Sequence, residues 1–184
     1  MDKEFVSAIA ADLLQEIFSD QDWGLDHVKK TPERYIKALR ELAASEPFEF
    51  TTFKNQNRLN EMVLVRDIKF HSLCAHHILP FIGIAHIAYI PGERIAGLSK
   101  LARTVKHLQS GLWVQEELTD AIAQFLVNNL QPQGVAVVMQ AEHLCMTLRG
   151  VQAPGTMTTT SKMTGVFADH SRLARQEFLA LIKQ

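Results

Sequence analysis

Residues 62–90 read MVLVRDIKFHSLCAHHILPFIGIAHIAYI, two apolar segments joined by a short stretch rich in cysteine and histidine. The segments 62–70 and 82–90 contain many β-branched residues and predict two strands. A turn between them can place Cys74 and His77 on one metal ion, and their Cys-x-x-His spacing is a common half-site for zinc. Alone, the pattern is equally compatible with a packed cysteine beside partly exposed histidines.

The other cysteine of the chain lies in His143-Leu144-Cys145, within residues 134–150, which predict a long strand. Residues two apart in a strand point to the same face, so His143 and Cys145 would project together towards the Cys74 turn. Cys74, His77 and Cys145 would then form a three-ligand site of the catalytic type, which leaves a position for water. His76 and His143 would remain available for proton transfer. A hydrogen-bonded core residue is the alternative for His143.

Length and composition are those of an ordinary globular protein. The chain has 184 residues, of which 47% are hydrophobic and 21% charged, and its net charge is −1. These values give no reason to expect nucleic acid or an anionic membrane as partner. The sequence lacks a transmembrane segment, a signal peptide and the cysteines of a disulfide scaffold, so we expect a cytoplasmic protein.

The segments before residue 61 predict two helices and a linker. An apolar residue recurs at every fourth position from Phe5 to Ile17, which predicts a helix over 3–18. Thr31 is expected to cap a second helix, with Pro32 in its first turn. Residues 45–60 show no clear period. We therefore divide the chain into an N-terminal helical region with a linker, 1–60, and a second domain, 61–184.

Within the second domain the patterns predict the order strand, strand, helix, helix, strand, strand, helix. Ser99 is expected to cap the first of these helices, and the second spans about 115–130. The segment 156–167 predicts a strand after 134–150. Asp169 is expected to cap the final helix, which ends at Leu181.

Several separate motifs occur in the order and at the spacing of one known family. They are Thr31-Pro32-Glu33-Arg34, Glu61-Met62-Val63, Val65-Arg66-Asp67, Cys74-Ala75-His76-His77-Ile78-Leu79-Pro80, Gly97-Leu98-Ser99-Lys100-Leu101-Ala102-Arg103, Val114-Gln115-Glu116, His143-Leu144-Cys145, Arg149-Gly150-Val151, Thr160-Ser161 and Gly165-Val166-Phe167. On these motifs the chain resembles GTP cyclohydrolase I, the zinc enzymes that convert GTP to 7,8-dihydroneopterin triphosphate and formate.

The resemblance implies an α+β fold, the tunnelling fold, in which an antiparallel ββααββ sheet carries helices on one face, here with an N-terminal helical region added. It implies a homodecamer with active sites between subunits, and a place at the first step of folate, pterin or 7-deazaguanine biosynthesis. It also implies hydrolysis at C8 of GTP, with water activated by zinc, followed by rearrangement of the ribose.

The resemblance assigns a role to each matching residue. The zinc ligands are Cys74, His77 and Cys145, and the acid–base residues are His76, which would protonate N7, and His143, which would protonate the ribose ring oxygen. Gln115 and Glu116 correspond to residues that read the guanine edge. Ser99, Lys100, Arg103 and Arg149 correspond to residues that hold the triphosphate and ribose. Arg34 is either a phosphate contact or a surface charge, and His71 is expected outside the site.

The chemistry of GTP fits these side chains. A carboxylate can accept hydrogen bonds from N1 and the 2-amino group of guanine together, which suits Glu116, although Glu117 competes for that role on sequence alone. Cations on the first turns of a helix, Lys100 and Arg103, suit a triphosphate. No phosphate-binding loop of the Gly-x-x-x-x-Gly-Lys-Ser/Thr type is present, which agrees with chemistry at the base.

Two positions depart from the family pattern. Ala75 stands where the family usually has Glu, and Glu117 stands where it usually has Arg. Both changes alter the charge around the substrate and leave the metal ligands intact. Three alternatives follow: a related tunnelling-fold enzyme such as the nitrile reductase of queuosine synthesis, an enzyme for another purine triphosphate, and a non-catalytic nucleotide- or pterin-binding protein with structural zinc.

Overall fold

The computed structural model describes residues 3–169 and 173–183 of the chain. They form two compact units, the first ending at Ala44 and the second beginning at Ser45. The segment 45–60, which the sequence suggested as a linker, therefore packs with the second unit. Phe48 stacks on Phe125 with ring centroids 5.9 Å apart, and Phe50 meets the same ring edge-on at 5.5 Å.

The first unit contains two helices, α1 (Lys3–Ile17) and α2 (Thr31–Ala43), as the sequence predicted. Lys30 is the N-cap of α2 and no side chain caps this helix, so the predicted cap at Thr31 is wrong. Thr31 is already helical, and Pro32 occupies the first turn, where its missing N–H costs nothing.

The apolar residues that reveal α1 are not the ones that the chain buries. Phe5, Ile9, Leu13 and Ile17 are each more than half exposed. Ala10 and Leu14 instead form its buried side.

The second unit is built around one five-stranded sheet. In chain order its elements are β1 (Thr52–Lys54), β2 (Val63–Cys74), β3 (Pro80–Ile90), β4 (Arg94–Ala96), α3 (Leu98–Leu108), β5 (Leu112–Trp113), α4 (Gln115–Leu130), β6 (Gly134–His143), α5 (Leu144–Thr147), β7 (Met157–Met163), a 3-10 turn (Gly165–Phe167) and α6 (Leu173–Leu181). The sheet has the order β5-β2-β3-β6-β7, and β1 pairs separately with β4.

The register of the sheet brings three chemically important positions to one end. β2 and β3 form an antiparallel hairpin in which Leu73 pairs with Pro80. β3 then runs antiparallel to β6, with Phe81 opposite His143. Cys74, at the end of β2, also pairs with Trp113 of the short parallel strand β5. Cys74, Phe81 and His143 therefore lie at the same end of these neighbouring strands.

Two hydrophobic layers hold the sheet. α3 and α4 bury one face, where Leu101, Val105, Leu118 and Ile122 pack with Phe81 and other sheet residues in one cluster. On the opposite face, Phe167 and Phe178 pack against Ala88, Ala136 and Val138. The structure confirms the α+β fold and its ββααββ order, and α6 covers part of the second face. Within the described ranges, no helix is long and apolar enough to cross a membrane.

Three predicted element ends are wrong. Gly97 is the N-cap of α3, and Ser99 lies inside the helix. β6 ends at His143, and Cys145 belongs to α5. The predicted strand 156–167 stops at Met163, because the positive φ of Gly165, +53°, is not a strand conformation. Glycine is required there because a Cβ would collide with the Gln133 carbonyl. Whether Asp169 caps α6 depends on residues 170–172, which lie outside the described residues.

His86 is a buried histidine of β3, and its titration is expected to make the stability of the protein depend on pH. The His86 side chain is 3% exposed, and its Nδ1 accepts a hydrogen bond from the Asp67 amide at 3.3 Å. Burial lowers the pKa of His86, with Asp67 opposing and Arg66 reinforcing that shift. The neutral ring therefore belongs to the folded state, and the unfolded chain binds the proton more readily.

We expect the free energy of unfolding to fall as the pH is lowered through the ordinary histidine pKa of about 6.5. His86→Gln keeps an acceptor for the Asp67 amide but does not titrate, so it should lose less stability over the same range. Urea unfolding at fixed protein concentration, from about pH 8 to about pH 5, measures the difference between the two proteins. Parallel curves for wild type and variant would rule out this role.

Candidate active site

The turn between β2 and β3 presents a buried thiol beside exposed imidazoles. The Cys74 amide donates to the Leu79 carbonyl at 2.9 Å, and the Cys74 carbonyl accepts from the amides of His77 and Ile78 at 3.2 and 2.8 Å. Ile78 closes the turn with a positive φ of 55°. The Cys74 side chain points inward, 6% exposed, while His77 remains open to solvent.

The structure brings together the three residues predicted as metal ligands. One ligand atom from each of Cys74, His77 and Cys145 lies within 4.8 Å of the other two, and Cys74 Sγ is 3.7 Å from His77 Nδ1. Cys145 reaches this position from the first turn of α5, and it is 7% exposed. The prediction that a strand would carry Cys145 to the site was wrong, because the chain turns helical after His143.

Electrostatics at the thiols favour a cation. Burial raises the pKa of the Cys145 thiol, the neighbouring Cys74 raises it further, and the Arg149 guanidinium lowers it. The Cys145 thiol therefore resists ionisation until a positive charge stabilises its thiolate. Two sulfurs and one imidazole form a donor set that suits zinc and leaves a coordination position open. The residues present thus fit the metal that the sequence suggested.

His76 lies beside this group without being part of it. Its Nδ1 is 3.8 Å from Cys74 Sγ, its ring centroid is 6.1 Å from that of His77, and the side chain is exposed. An exposed imidazole next to a metal site can exchange protons with solvent and with a bound substrate.

His143, the last residue of β6, is held in a fixed orientation. Its ring stacks on Phe81 with centroids 4.7 Å apart and an interplanar angle of 2°. Its Nε2 lies 2.7 Å from Oε1 of Gln115. Burial lowers the pKa of His143, and the carboxylate of Glu116 opposes that shift. His143 is therefore hydrogen-bonded, as in the alternative of a core residue, but its ring is only half-buried and borders the site.

Gln115 orients His143 through a buried hydrogen bond, a role that the sequence did not indicate. The side chain is 1% exposed. Its Nε2 lies 3.3 Å from the Met139 carbonyl, 3.1 Å from the Thr158 carbonyl and 3.1 Å from Thr160 Oγ1. Carbonyls accept only, so the amide nitrogen must face them and Oε1 must face His143. Nε2 of the neutral imidazole therefore carries the proton.

The residues assigned to the substrate lie on three elements, and of these Glu116 and Arg149 interact electrostatically with His143 and Cys145 of this centre. Glu116 and Glu117 are exposed on the first turn of α4. Lys100 Nζ donates to the Glu49 carbonyl at 2.7 Å. Arg149 is exposed on the loop after α5, and Ser99 is exposed on α3.

Arg103 lines a cavity of about 310 Å³, together with Glu46, Pro47, Phe48, Lys106 and His107. Lys106 adds a cation that the sequence analysis missed, although its position three residues after Arg103 places both on one side of α3. Glu46 lies 3.1 Å from Lys106 Nζ, so this cation is already paired. Arg34 lies in the first unit, where its guanidinium donates to the His27 carbonyl at 3.4 Å.

Together, the ββααββ sheet and a Cys–His–Cys group flanked by two imidazoles define a tunnelling-fold protein with a candidate metal centre. Comparison with known proteins narrows this class. The family profile described as GTP cyclohydrolase I matches residues 6–183. The chain belongs to the GTP cyclohydrolase I family, and it is accordingly an enzyme, a hydrolase. This match confirms the resemblance seen in the motifs and sets aside the nitrile reductase alternative.

Curated relatives cover the whole chain. "GTP cyclohydrolase 1" of Aquifex aeolicus is 48% identical over 183 residues, which is 100% of this chain and 98% of the relative. The protein of the same name from Synechococcus sp. (strain JA-3-3Ab) is 46% identical over 100% of this chain and 80% of its own length. Among solved structures, the apo form of the archaeosine synthase QueF-Like is 14% identical, with a TM-score of 0.47 over 56% of this chain and 93% of its own.

Proposed function

We propose that the chain is a zinc-dependent GTP cyclohydrolase I, which hydrolyses GTP to 7,8-dihydroneopterin triphosphate and formate. The observation that carries the proposal is the convergence of Cys74, His77 and Cys145 in a chain of this family. We propose these three side chains as the zinc ligands. When bound, zinc supplies Lewis acidity, which activates water for hydrolysis near neutral pH.

The two imidazoles beside the metal ligands are suited to different proton transfers. His76 is exposed and can exchange protons with solvent, which suits delivery of a proton to N7 as the imidazole ring of GTP opens. His143 is fixed by Phe81 and Gln115, and because its Nε2 proton is directed to Gln115, Nδ1 is the atom that would take up a proton and pass it to the ribose ring oxygen. Ring closure to the pterin follows release of formate.

Recognition of GTP is proposed to divide between two helices. On α4, the carboxylate of Glu116 accepts from N1 and the 2-amino group of guanine, a donor pair that adenine lacks. On α3, Ser99, Lys100 and Arg103 hold the triphosphate and ribose, and Arg149 adds a further cation. The sequence assigned Gln115 to the guanine edge, but its side chain is 1% exposed and both amide atoms are bonded within the protein, so we propose that it acts on the substrate only through His143.

The proposal extends to assembly and location. β7 is the last strand of the sheet and offers one edge for pairing, and several site residues are open to solvent. Both features support an oligomer in which a neighbouring subunit completes each active site, and the family resemblance extends the proposal to a cytoplasmic homodecamer. The product would enter folate, pterin or 7-deazaguanine biosynthesis.

The direct test is to incubate zinc-loaded protein with GTP, then oxidise and dephosphorylate the product and search for neopterin by fluorescence. Formate should appear in equal amount, and Cys74→Ser should abolish both products. A protein that holds zinc and GTP but yields neither neopterin nor formate would overturn the proposal and leave the non-catalytic alternative. A panel of purine triphosphates in the same assay tests the alternative of another substrate.

Glu117 should weaken GTP binding, because it adds a negative charge beside the substrate where the family usually has arginine. We expect Glu117→Arg to lower KM for GTP by about two- to fivefold at low salt, with a smaller gain at high salt. Steady-state kinetics at two ionic strengths measures the change, and Glu117→Gln should fall between the two proteins. An unchanged KM in both variants would show that the charge at this position does not act on the bound substrate.

A further inference from the structure

One carboxylate oxygen forms hydrogen bonds to both ends of the loop between α5 and β7. Oε1 of Glu142 accepts a hydrogen bond from Thr147 Oγ1 at 2.9 Å and another from the Gly155 amide at 3.3 Å. Thr147 is the last residue of α5, and Gly155 lies just before β7. One side chain therefore joins the two ends of the segment 148–154.

The Thr147 hydroxyl has one proton and two acceptors nearby. Its oxygen lies 2.9 Å from Glu142 Oε1 and 3.3 Å from the His143 carbonyl, so the carboxylate receives the shorter bond. Hydrogen bonds to an ionised acceptor are stronger than those between neutral groups. The hydrogen bonds of Glu142 therefore stabilise this loop more than those of a neutral side chain would.

One residue of this loop has an unfavourable backbone conformation, which the hydrogen bonds of Glu142 help to offset. Gly150, Gln152 and Gly155 all have positive φ, at 64°, 50° and 76°. Gln152 is not glycine, so this conformation carries a local cost that surrounding contacts must offset. The Ala153 amide also donates to the Met146 carbonyl at 3.0 Å, so this backbone bond and the Glu142 carboxylate together hold the two ends of the loop.

We infer that Glu142 is a positioning residue, which acts by ordering the loop that carries Arg149 to the triphosphate of GTP. This inference rests on the proposed function. Arg149 is exposed and follows Cys145 by four positions, on the same short segment as that thiol. A long cationic side chain binds phosphate well only if its backbone is already placed, because ordering the loop during binding costs affinity.

The test replaces Glu142 and reads both loop order and substrate binding. Glu142→Val, which suits a strand and removes both bonds, should raise KM for GTP about tenfold with little change in kcat. Hydrogen exchange of the 148–155 amides should quicken, and bound zinc should stay the same. Glu142→Gln keeps a neutral acceptor and should show a smaller change. Gln140→Val, on the same strand and the same face, is the matched control.

A double-mutant cycle with Arg149→Ala separates positioning from a general structural effect. If Glu142 acts through Arg149, Glu142→Val should raise KM no further once Arg149 is gone. Equal effects of Glu142→Val with and without Arg149, or unchanged exchange in 148–155, would overturn the inference. Binding of inorganic tripolyphosphate, followed by calorimetry, gives the same comparison without turnover, so failure of the proposed reaction is detected separately.

Discussion

The Cys145→Ala variant is expected to lose both bound zinc and activity on GTP. Cys145 contributes one of three ligand atoms that lie within 4.8 Å of one another, and the other two come from Cys74, at the end of β2, and His77, in the turn after it. These two ligands alone hold zinc far more weakly than three. We expect turnover to fall roughly 10³-fold or more, since zinc is proposed to contribute several kcal/mol to the reaction.

Metal analysis of the purified proteins, alongside formate release, measures this effect. Wild type should hold about one zinc per chain, and the variant almost none. His76→Ala is the informative control, because His76 lies next to Cys74 but outside the three-ligand group. It should keep its zinc and still lose turnover by roughly 10²-fold. Loss of zinc from His76→Ala, with zinc retained in a His77 variant, would mean that the two histidines have exchanged roles.

The sequence grouped Cys74, His77 and Cys145 as candidate metal ligands because cysteine is rare in the chain and the Cys-x-x-His spacing is informative. Cys74 and Cys145 are the chain's two cysteines, so a shared site needed only the assumption that the two segments meet. The apolar segments on either side of Cys74 and His77 predicted the β2–β3 hairpin from local pattern alone. The local patterns also predicted the ββααββ order of elements along the chain, which agrees with the family fold and which the structure confirms.

The route of Cys145 into the site could not be predicted from pattern. Residues 134–150 are rich in apolar residues without a decisive period, and such a segment is compatible with a strand or with a helix. The strand ends at His143 because its partner, β3, begins at Pro80 and pairs Phe81 with His143. With no further strand to pair with, residues 144–147 form their backbone hydrogen bonds locally, as a helical turn. This reason depends on the sheet, and no local signal expresses it.

Buried faces were also beyond the reach of periodicity. The four-residue repeat from Phe5 to Ile17 correctly predicted α1, yet these side chains are exposed and Ala10 and Leu14 are buried. A repeat shows that a helix has an apolar side, but which side the chain covers depends on tertiary packing. The contact of Gln115 with His143 is hidden for the same reason, since the two residues are 28 positions apart.

Gln115→Leu is expected to reduce both stability and turnover. The buried amide of Gln115 serves the carbonyls of Met139 and Thr158 through Nε2, and His143 through Oε1. Leucine fills a similar volume but leaves these groups without their partner. We expect a loss of about 1–3 kcal/mol of stability, the cost of buried polar groups left unsatisfied.

The loss of turnover has a separate cause. Oε1 of Gln115 can only accept, so it selects the form of His143 with the proton on Nε2 and fixes the direction of the ring. Without it, the stacking contact with Phe81 still holds the plane of the ring, but the tautomer is free to change. We expect kcat to fall about 10²-fold with zinc retained, the usual scale of a misplaced acid–base group.

Thr119→Val distinguishes support of His143 from stability alone. Thr119 Oγ1 lies 2.6 Å from Thr160 Oγ1 and donates to the Gln115 carbonyl at 2.7 Å, so it belongs to the same buried network without contacting His143. This variant should lose about 1 kcal/mol of stability yet keep kcat within about threefold of wild type. In Gln115→Leu, nitrogen-15 NMR of the histidines should show a changed tautomer at His143. If both variants lose turnover equally and the His143 signal is unchanged, Gln115 acts on stability alone.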